Sequence, residues 1–179
     1  MNEVCGYFDV DVDGRFEHLR YEETNCGNLI ADLVRTEFEN CEFVLLNCGT
    51  LRSNSIISKG DVTNRNLTEL LPMVDRIVLL KVPGDILLQL LENGVSKWPT
   101  LDGRFLAVSG LKFSFDPEFP SDSRVHSVRT LDDEPLDLSR ERKYVVATKH
   151  FIAMGRDGFA PFKDPRVEWI SDLEAAMTI

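Results

Sequence analysis

Two short stretches of this chain combine side chains that could hold a small charged ligand. The first is Asn47-Cys48-Gly49-Thr50-Leu51-Arg52, which follows the apolar run Phe43-Val44-Leu45-Leu46. A buried strand delivers the turn after it to the rim of a sheet, where ligands commonly bind. There Gly49 allows close backbone approach, Asn47 offers a donor and an acceptor, and Arg52 presents a planar cationic fork suited to phosphate. The second stretch is Phe151-Ile152-Ala153-Met154-Gly155-Arg156-Asp157-Gly158-Phe159. Gly155 and Gly158 bracket Arg156-Asp157, so the backbone can turn sharply and present a carboxylate. Asp157 could accept two hydrogen bonds from a vicinal diol, and Phe151 could stack on a planar ring. Both stretches also suit plain structure: a polar turn with a surface arginine, and a loop in which Asp157 caps an amide while Phe151 fills the core.

Other chemistries find no support in the pattern. Val108-Ser109-Gly110 lacks the flanking glycines of a nucleophile elbow, and neither a Walker loop nor GxGxxG occurs. Asp9, Asp11 and Asp13 alternate along one stretch but lack the glycine and distal glutamate of an EF-hand. Asp132-Asp133-Glu134 reads as a solvated turn. Cys5, Cys26, Cys41 and Cys48 include no CxxC pair, and His18, His126 and His150 are scattered, so a zinc site is not expected. A self-sufficient hydrolase needs a metal nest or an activated nucleophile, and the sequence suggests neither.

The bulk properties narrow the class further. With 179 residues, 43% hydrophobic and 28% charged, the chain suits one soluble globular domain spanning 1–179. A net charge of -10 argues against binding a nucleic acid polymer, yet one or two arginines suffice for a small phosphate. No apolar run approaches the roughly 20 residues of a membrane span, and no membrane partner is expected. Met1-Asn2-Glu3-Val4 does not open like a signal peptide, and four unpaired thiols fit a reducing compartment, so a cytoplasmic location is expected.

The elements that must position these residues follow from periodicity and punctuation. Val4–Val12 alternates loosely up to the turn Asp13-Gly14, and Arg15–Tyr21 is expected as a second extended piece. Asn25 is the expected cap of a helix whose Leu29, Ile30, Leu33, Val34 and Phe38 recur at helical spacing to about Glu39. Thr63 or Asn64 caps a short helix through Leu71, stopped by Pro72. Arg76–Val82 reads as a strand, and Gly84 to about Val95 as an amphipathic helix. After Gly103 come four short strands, Phe105–Val108, Leu111–Phe115, Val125–Thr130 and Tyr144–Thr148, then a loop over Phe151–Phe162. The tail Val167–Ile179 suits a strand or short helix. Helices early and strands late predict an α+β (mixed α/β) domain, its helices packed on a mostly antiparallel sheet.

Taken in order, several motifs resemble the C-terminal domain of the 5'-nucleotidase family. Thr24-Asn25-Cys26-Gly27-Asn28-Leu29-Ile30-Ala31-Asp32 is similar to that family's xNxGNLIxDA helix start, and Asn47–Arg52 to its NGGGIR turn. Leu70-Leu71-Pro72-Met73 resembles its LPF, Gly103–Gly110 its GxFLQVSG, and Gly155–Phe159 its GGDGF. The resemblance covers a core of about residues 20–163. It implies a domain that binds the nucleoside part of a nucleotide, or another phosphomonoester. The chemistry then belongs to an N-terminal metallophosphoesterase domain of the same polypeptide, which holds two divalent metal ions and the attacking water. That domain's DxH, GNHE or GNHD, and GHxH signatures are absent here, so no cofactor is expected in this chain and hydrolysis by it alone is not expected. Carried across, Asn47 matches a base-contacting asparagine, Arg52 and Arg20 match phosphate-binding arginines, Phe151 a base-stacking ring, and Asp157 a ribose-binding carboxylate. Two positions depart from the family. Met73 stands where a second stacking phenylalanine is usual, and Arg156 replaces a glycine, putting a large cation beside Asp157. A less aromatic, more cationic cleft also suits a sugar phosphate, and loss of catalysis in a stand-alone binding module is a further alternative.

Overall fold

The computed structural model describes residues 3–170. In chain order they form β1 (Val4–Phe8), β2 (Val12–Asp13), α1 (Phe16–Leu19), α2 (Asn25–Thr36) and β3 (Phe43–Asn47). Then come β4 (Ile56–Ile57), β5 (Gly60–Thr63), α3 (Asn64–Leu70), β6 (Ile77–Pro83) and α4 (Gly84–Val95). The second half supplies β7 (Leu106–Ser109), β8 (Leu111–Phe115), β9 (Val125–Thr130), β10 (Lys143–Lys149), α5 (His150–Ala153) and β11 (Glu168–Trp169). Mixed α and β elements packed on a largely antiparallel sheet are as the sequence predicts.

A five-stranded sheet in the order β11-β6-β10-β3-β7 is the frame. Only β10 and β3 run parallel; the other three pairings are antiparallel. Its inner strands read as continuous apolar runs because both faces are covered. Alternation along each strand sorts side chains between two cores. Phe43 and Leu45 of β3 join Val78, Leu80 and Val82 of β6 on one face, beneath Ile86, Leu87, Leu90 and Leu91 of α4. Val44, Leu46, Ile77 and Ala147 face the other side, where Ile30, Ala31 and Val34 of α2 cover them. Each such fully buried aliphatic side chain contributes about 1.5–3 kcal/mol. Smaller two-stranded ribbons, β1-β5, β2-β4 and β8-β9, wrap the frame.

Local structure departs from the sequence expectations in four places. Arg15–Tyr21 is not extended: Phe16–Leu19 forms the one-turn helix α1, with Leu19 buried at 1% exposure and Arg15 clamped to Asp13 at 2.7 Å. Thr24, not Asn25, caps α2, its hydroxyl accepting from the Gly27 amide at 3.1 Å. Asn25 is used instead to tie down the preceding loop, accepting from the Asp13 amide and donating to the Asp11 carbonyl. Helix α2 stops at Thr36, short of Glu39. The stretch Phe151–Phe162 is not an open loop but α5 followed by two 3-10 turns, Arg156–Gly158 and Ala160–Lys163. Its anchors are Phe159 and Phe162, both buried in the α4 core. The tail expectation is met by β11 where it is described; residues 171–179 lie outside the described residues.

Candidate ligand-binding cleft

Sheet register explains why distant residues meet. Because β3 and β10 are parallel, with Thr148 opposite Leu45, their C-terminal ends leave the sheet at the same edge. Antiparallel β6 and β7 begin at that edge, Ile77 lying opposite Lys149 and Leu106 opposite Asn47. Four chain segments therefore converge: the turn after β3, the approach to β6, the approach to β7, and the stretch following β10. They enclose a cleft of about 590 Å³. Arg20, Asn47, Gly49, Arg52, Met73, Phe151 and Asp157 all line it. Every residue that the sequence suggests for ligand contact thus lies in one cavity.

The turn after β3 is held by close backbone contacts. Cys48 and Gly49 amides donate to the Phe105 and Gly103 carbonyls, each at 2.7 Å. A Cβ on Gly49 would stand 3.2 Å from the Gly103 Cα, so glycine here is needed for the approach of two backbones. Cys48 turns away from the cleft into the α2-side core, and burial pushes its thiol up to about 12, leaving it a packing residue. The Arg52 amide donates to the Leu70 carbonyl at the end of α3, while its side chain is exposed and has no ion-pair partner among the described residues.

Asn47 is the structural hub of the cleft. It is 4% exposed, accepts from the Thr50 hydroxyl at 3.0 Å, and donates to the Asp157 carboxylate at 3.0 Å. Asp157 sits at φ 52°, a left-handed conformation that non-glycine residues seldom adopt, flanked by Gly155 at 77° and Gly158 at 81°. Asn93 of α4 donates to the Asp157 carbonyl at 3.1 Å, and buried Phe159 fixes the far side of the turn. Strain held by such surrounding contacts is a common mark of a functional position. Arg156, by contrast, is exposed and does not line the cleft, so the cation expected beside Asp157 points elsewhere.

Arg20 closes the opposite wall. Its guanidinium lies 3.9 Å over the Phe16 ring, and its Nε is buried without a hydrogen-bond partner. Burial and then the charge of Arg52 hold its pKa below the ordinary arginine value. The nearby Asp102 offsets part of that shift but forms no ion pair with either arginine, so an anion in the cleft would find two cationic groups. Met73 and Phe151 are 41% and 42% exposed on the rim.

Several polar groups that line the cleft escaped the sequence reasoning, among them Lys149, Asp75, Asp102 and His150. Lys149, the last residue of β10, is only 4% exposed and stands 3.5 Å from Asp75. The same Asp75 oxygen accepts from the Phe151 amide at 3.3 Å. Burial pushes the Lys149 ammonium below its ordinary pKa, and the Asp75 carboxylate opposes that shift. Asp102 also lines the cleft but is engaged by Arg104, which donates to it from both backbone and side chain. The strand-end argument that selects Asn47 applies equally to Lys149 after Tyr144–Thr148, and would have found it.

The fold and the cleft together define a mixed α+β domain with a polar cleft at one end of its sheet. The model of the family described as "5'-nucleotidase, C-terminal domain" matches residues 4–164, and the chain belongs to that family. It is similar to the trifunctional nucleotide phosphoesterase protein YfkN of Bacillus subtilis (strain 168), 31% identical over 91% of this chain and 11% of that protein. It is likewise 30% identical to the snake venom 5'-nucleotidase of Crotalus adamanteus, over 90% of this chain and 30% of that protein. Among solved structures, a 5'-nucleotidase precursor from Thermus thermophilus superposes with a TM-score of 0.86 at 36% identity. That match covers 94% of this chain and 34% of the other. The chain therefore spans a third or less of the length of the first two relatives, and about a third of the third.

Proposed function

We propose that this domain holds the substrate of a metal-dependent phosphomonoester hydrolase, and that the ligand its cleft suits best is a nucleotide. One observation carries the reading: the carboxylates Asp75, Asp102 and Asp157 are each engaged, by Lys149, Arg104 and Asn47, while Arg20 and Arg52 are left without acidic partners among the described residues. A phosphate dianion supplies the missing charge, and arginine forks match its geometry. Phe151 then offers a ring face to the non-phosphate part, and Asp157 accepts from its hydroxyls. The nucleotidase names of the relatives support the same ligand class.

The two-metal centre that the family resemblance implies does not fit the described residues of this chain. Among the described residues no three His, Cys, Asp or Glu side chains cluster so as to hold a metal ion. Two divalent ions would supply the nucleophile and the charge neutralisation from a metallophosphoesterase domain of a longer polypeptide. This chain's part is to bind and orient: fixing the far end of the substrate places its phosphate for attack. Calorimetric titration of the chain with AMP tests the reading. Arg52→Ala and Phe151→Ala should each weaken binding by about tenfold or more, and undetectable binding at millimolar AMP would sink it.

A sugar phosphate is the second reading, favoured by Met73. Phe151 is the one phenylalanine lining the cleft among the described residues, so a flat base meets one ring and a pliable thioether instead of two rings. Titration with ribose 5-phosphate separates the two, since equal affinity for it and AMP shows that the base contributes nothing.

A further inference from the structure

Resting on that phosphomonoester reading, we propose that Asp75 is a positioning residue. It ties the segment that carries Met73 to the helix that carries Phe151, and so holds the Phe151 ring where it can stack on the flat part of the ligand. Both rim residues sit on pieces of chain with little regular structure of their own. Residues 71–75, between α3 and β6, belong to no helix or strand. Helix α5 is a single turn of four residues, its N-cap Lys149 makes no side-chain capping bond, and so short a piece is not stable unaided. The first amides of such a turn need acceptors from elsewhere.

The segment before β6 supplies them. The Arg76 carbonyl accepts from the His150 amide at 2.8 Å, and Asp75 Oδ2 accepts from the Phe151 amide at 3.3 Å. The other oxygen, Oδ1, accepts from the Arg76 amide at 2.9 Å, which limits rotation of the carboxylate. Lys149 Nζ stands 3.5 Å from the same Oδ2, and its side chain is only 5% exposed, so a buried charge keeps its counter-ion in place. Both oxygens of Asp75 are thus engaged by protein groups. Although Asp75 lines the cleft, its negative charge opposes contact with phosphate. Its part is to place Phe151. Without it the turn frays at its start, and the half-exposed ring loses its fixed approach to Met73.

Calorimetry with AMP and ribose 5-phosphate tests this, because the ratio of the two affinities isolates what the base adds. The unaltered chain should prefer AMP by about tenfold. Asp75→Ala should bring that ratio toward one, while ribose 5-phosphate, held by Arg20 and Arg52, keeps its affinity within about twofold. Asp75→Asn, whose side-chain oxygen still accepts from the Phe151 amide, should restore the preference. In a Phe151→Ala background, Asp75→Ala should change the ratio no further, the mark of two residues acting as one unit. A merely structural Asp75 would lower the melting temperature and weaken both ligands in proportion, leaving the ratio where it was. That result overturns the proposal, as does failure of Asp75→Asn to restore the preference. Should Asp75→Ala fail to fold because Lys149 is left buried without its carboxylate, the double variant Asp75→Ala/Lys149→Met carries neither charge and gives the same reading. Undetectable AMP binding to the unaltered chain removes the nucleotide reading as well, whereas AMP binding with a ratio indifferent to Asp75→Ala removes this inference alone.

Discussion

Asp157 carries two burdens at once, a left-handed backbone and the partner of a buried amide. Asparagine tolerates that conformation and can still bond Asn47, whereas alanine meets a penalty of about 1–2 kcal/mol and leaves the amide unpaired at about 1–3 kcal/mol more. Denaturant unfolding should therefore show Asp157→Asn within about 1 kcal/mol of the parent and Asp157→Ala about 2–5 kcal/mol below it. Both should weaken AMP, because neither restores a carboxylate facing the hydroxyls. At this scale the sequence was informative for residues with a distinctive local frame, and poor for the rest. Glycines flag the Asp157 turn and the Asn47 turn directly. Lys149 and Asp75 carry no such flag, since their importance comes from a buried lysine meeting a half-buried carboxylate, and that meeting is settled by sheet register.

Helix and ribbon boundaries show where local signals compete. Thr24 and Asn25 are both good caps, and the contest is decided by the neighbouring loop, which Asn25 secures through Asp11 and Asp13. Replacing Thr24 by alanine should cost about 1 kcal/mol in denaturant unfolding, while leaving Asn25 in its loop role. The strands β3, β6 and β10 were legible because burial on both faces writes an unbroken apolar run. Their mostly antiparallel character was expected, but which strand pairs with which, and the one parallel pairing, was not legible, since no local residue encodes a neighbour far along the chain. One-turn pieces such as α1 were missed for a related reason: so short a piece has little helical preference of its own and depends on buried Leu19 and on the clamp between Arg15 and Asp13. That clamp predicts a pH effect. The Arg15 hydrogen bond holds the Asp13 carboxyl at about 2, below its ordinary 3.8. A depressed carboxyl stabilises the fold above its unfolded pKa, and the contribution disappears as pH falls from about 4 toward 2. Unfolding curves of the parent and Asp13→Asn, measured at pH 7, 4 and 2, should converge at the acid end; curves that stay equally far apart would remove the clamp from the account.

For the whole molecule, a ligand held by four converging segments should stabilise all of them together. At a concentration 100 times its Kd, AMP should add about 2.7 kcal/mol to unfolding, seen as a higher melting temperature and as slowed amide exchange in β3 and β10 alike. Protection confined to the stretch after β10 would mean the ligand touches one wall only. The order of strands in the sheet carries a consequence for the birth of the protein. β10 stands at the centre, between β6 and β3, yet its residues 143–149 leave the ribosome after β3, β6 and β7 are already made. A growing chain shorter than that can form α2, α4 and the β8-β9 ribbon, but β3 and β6 each keep a bare edge waiting for the missing strand. Such edges are templates for sticking to other chains. Synthesis halted before residue 143 should therefore yield aggregates and not a smaller soluble domain.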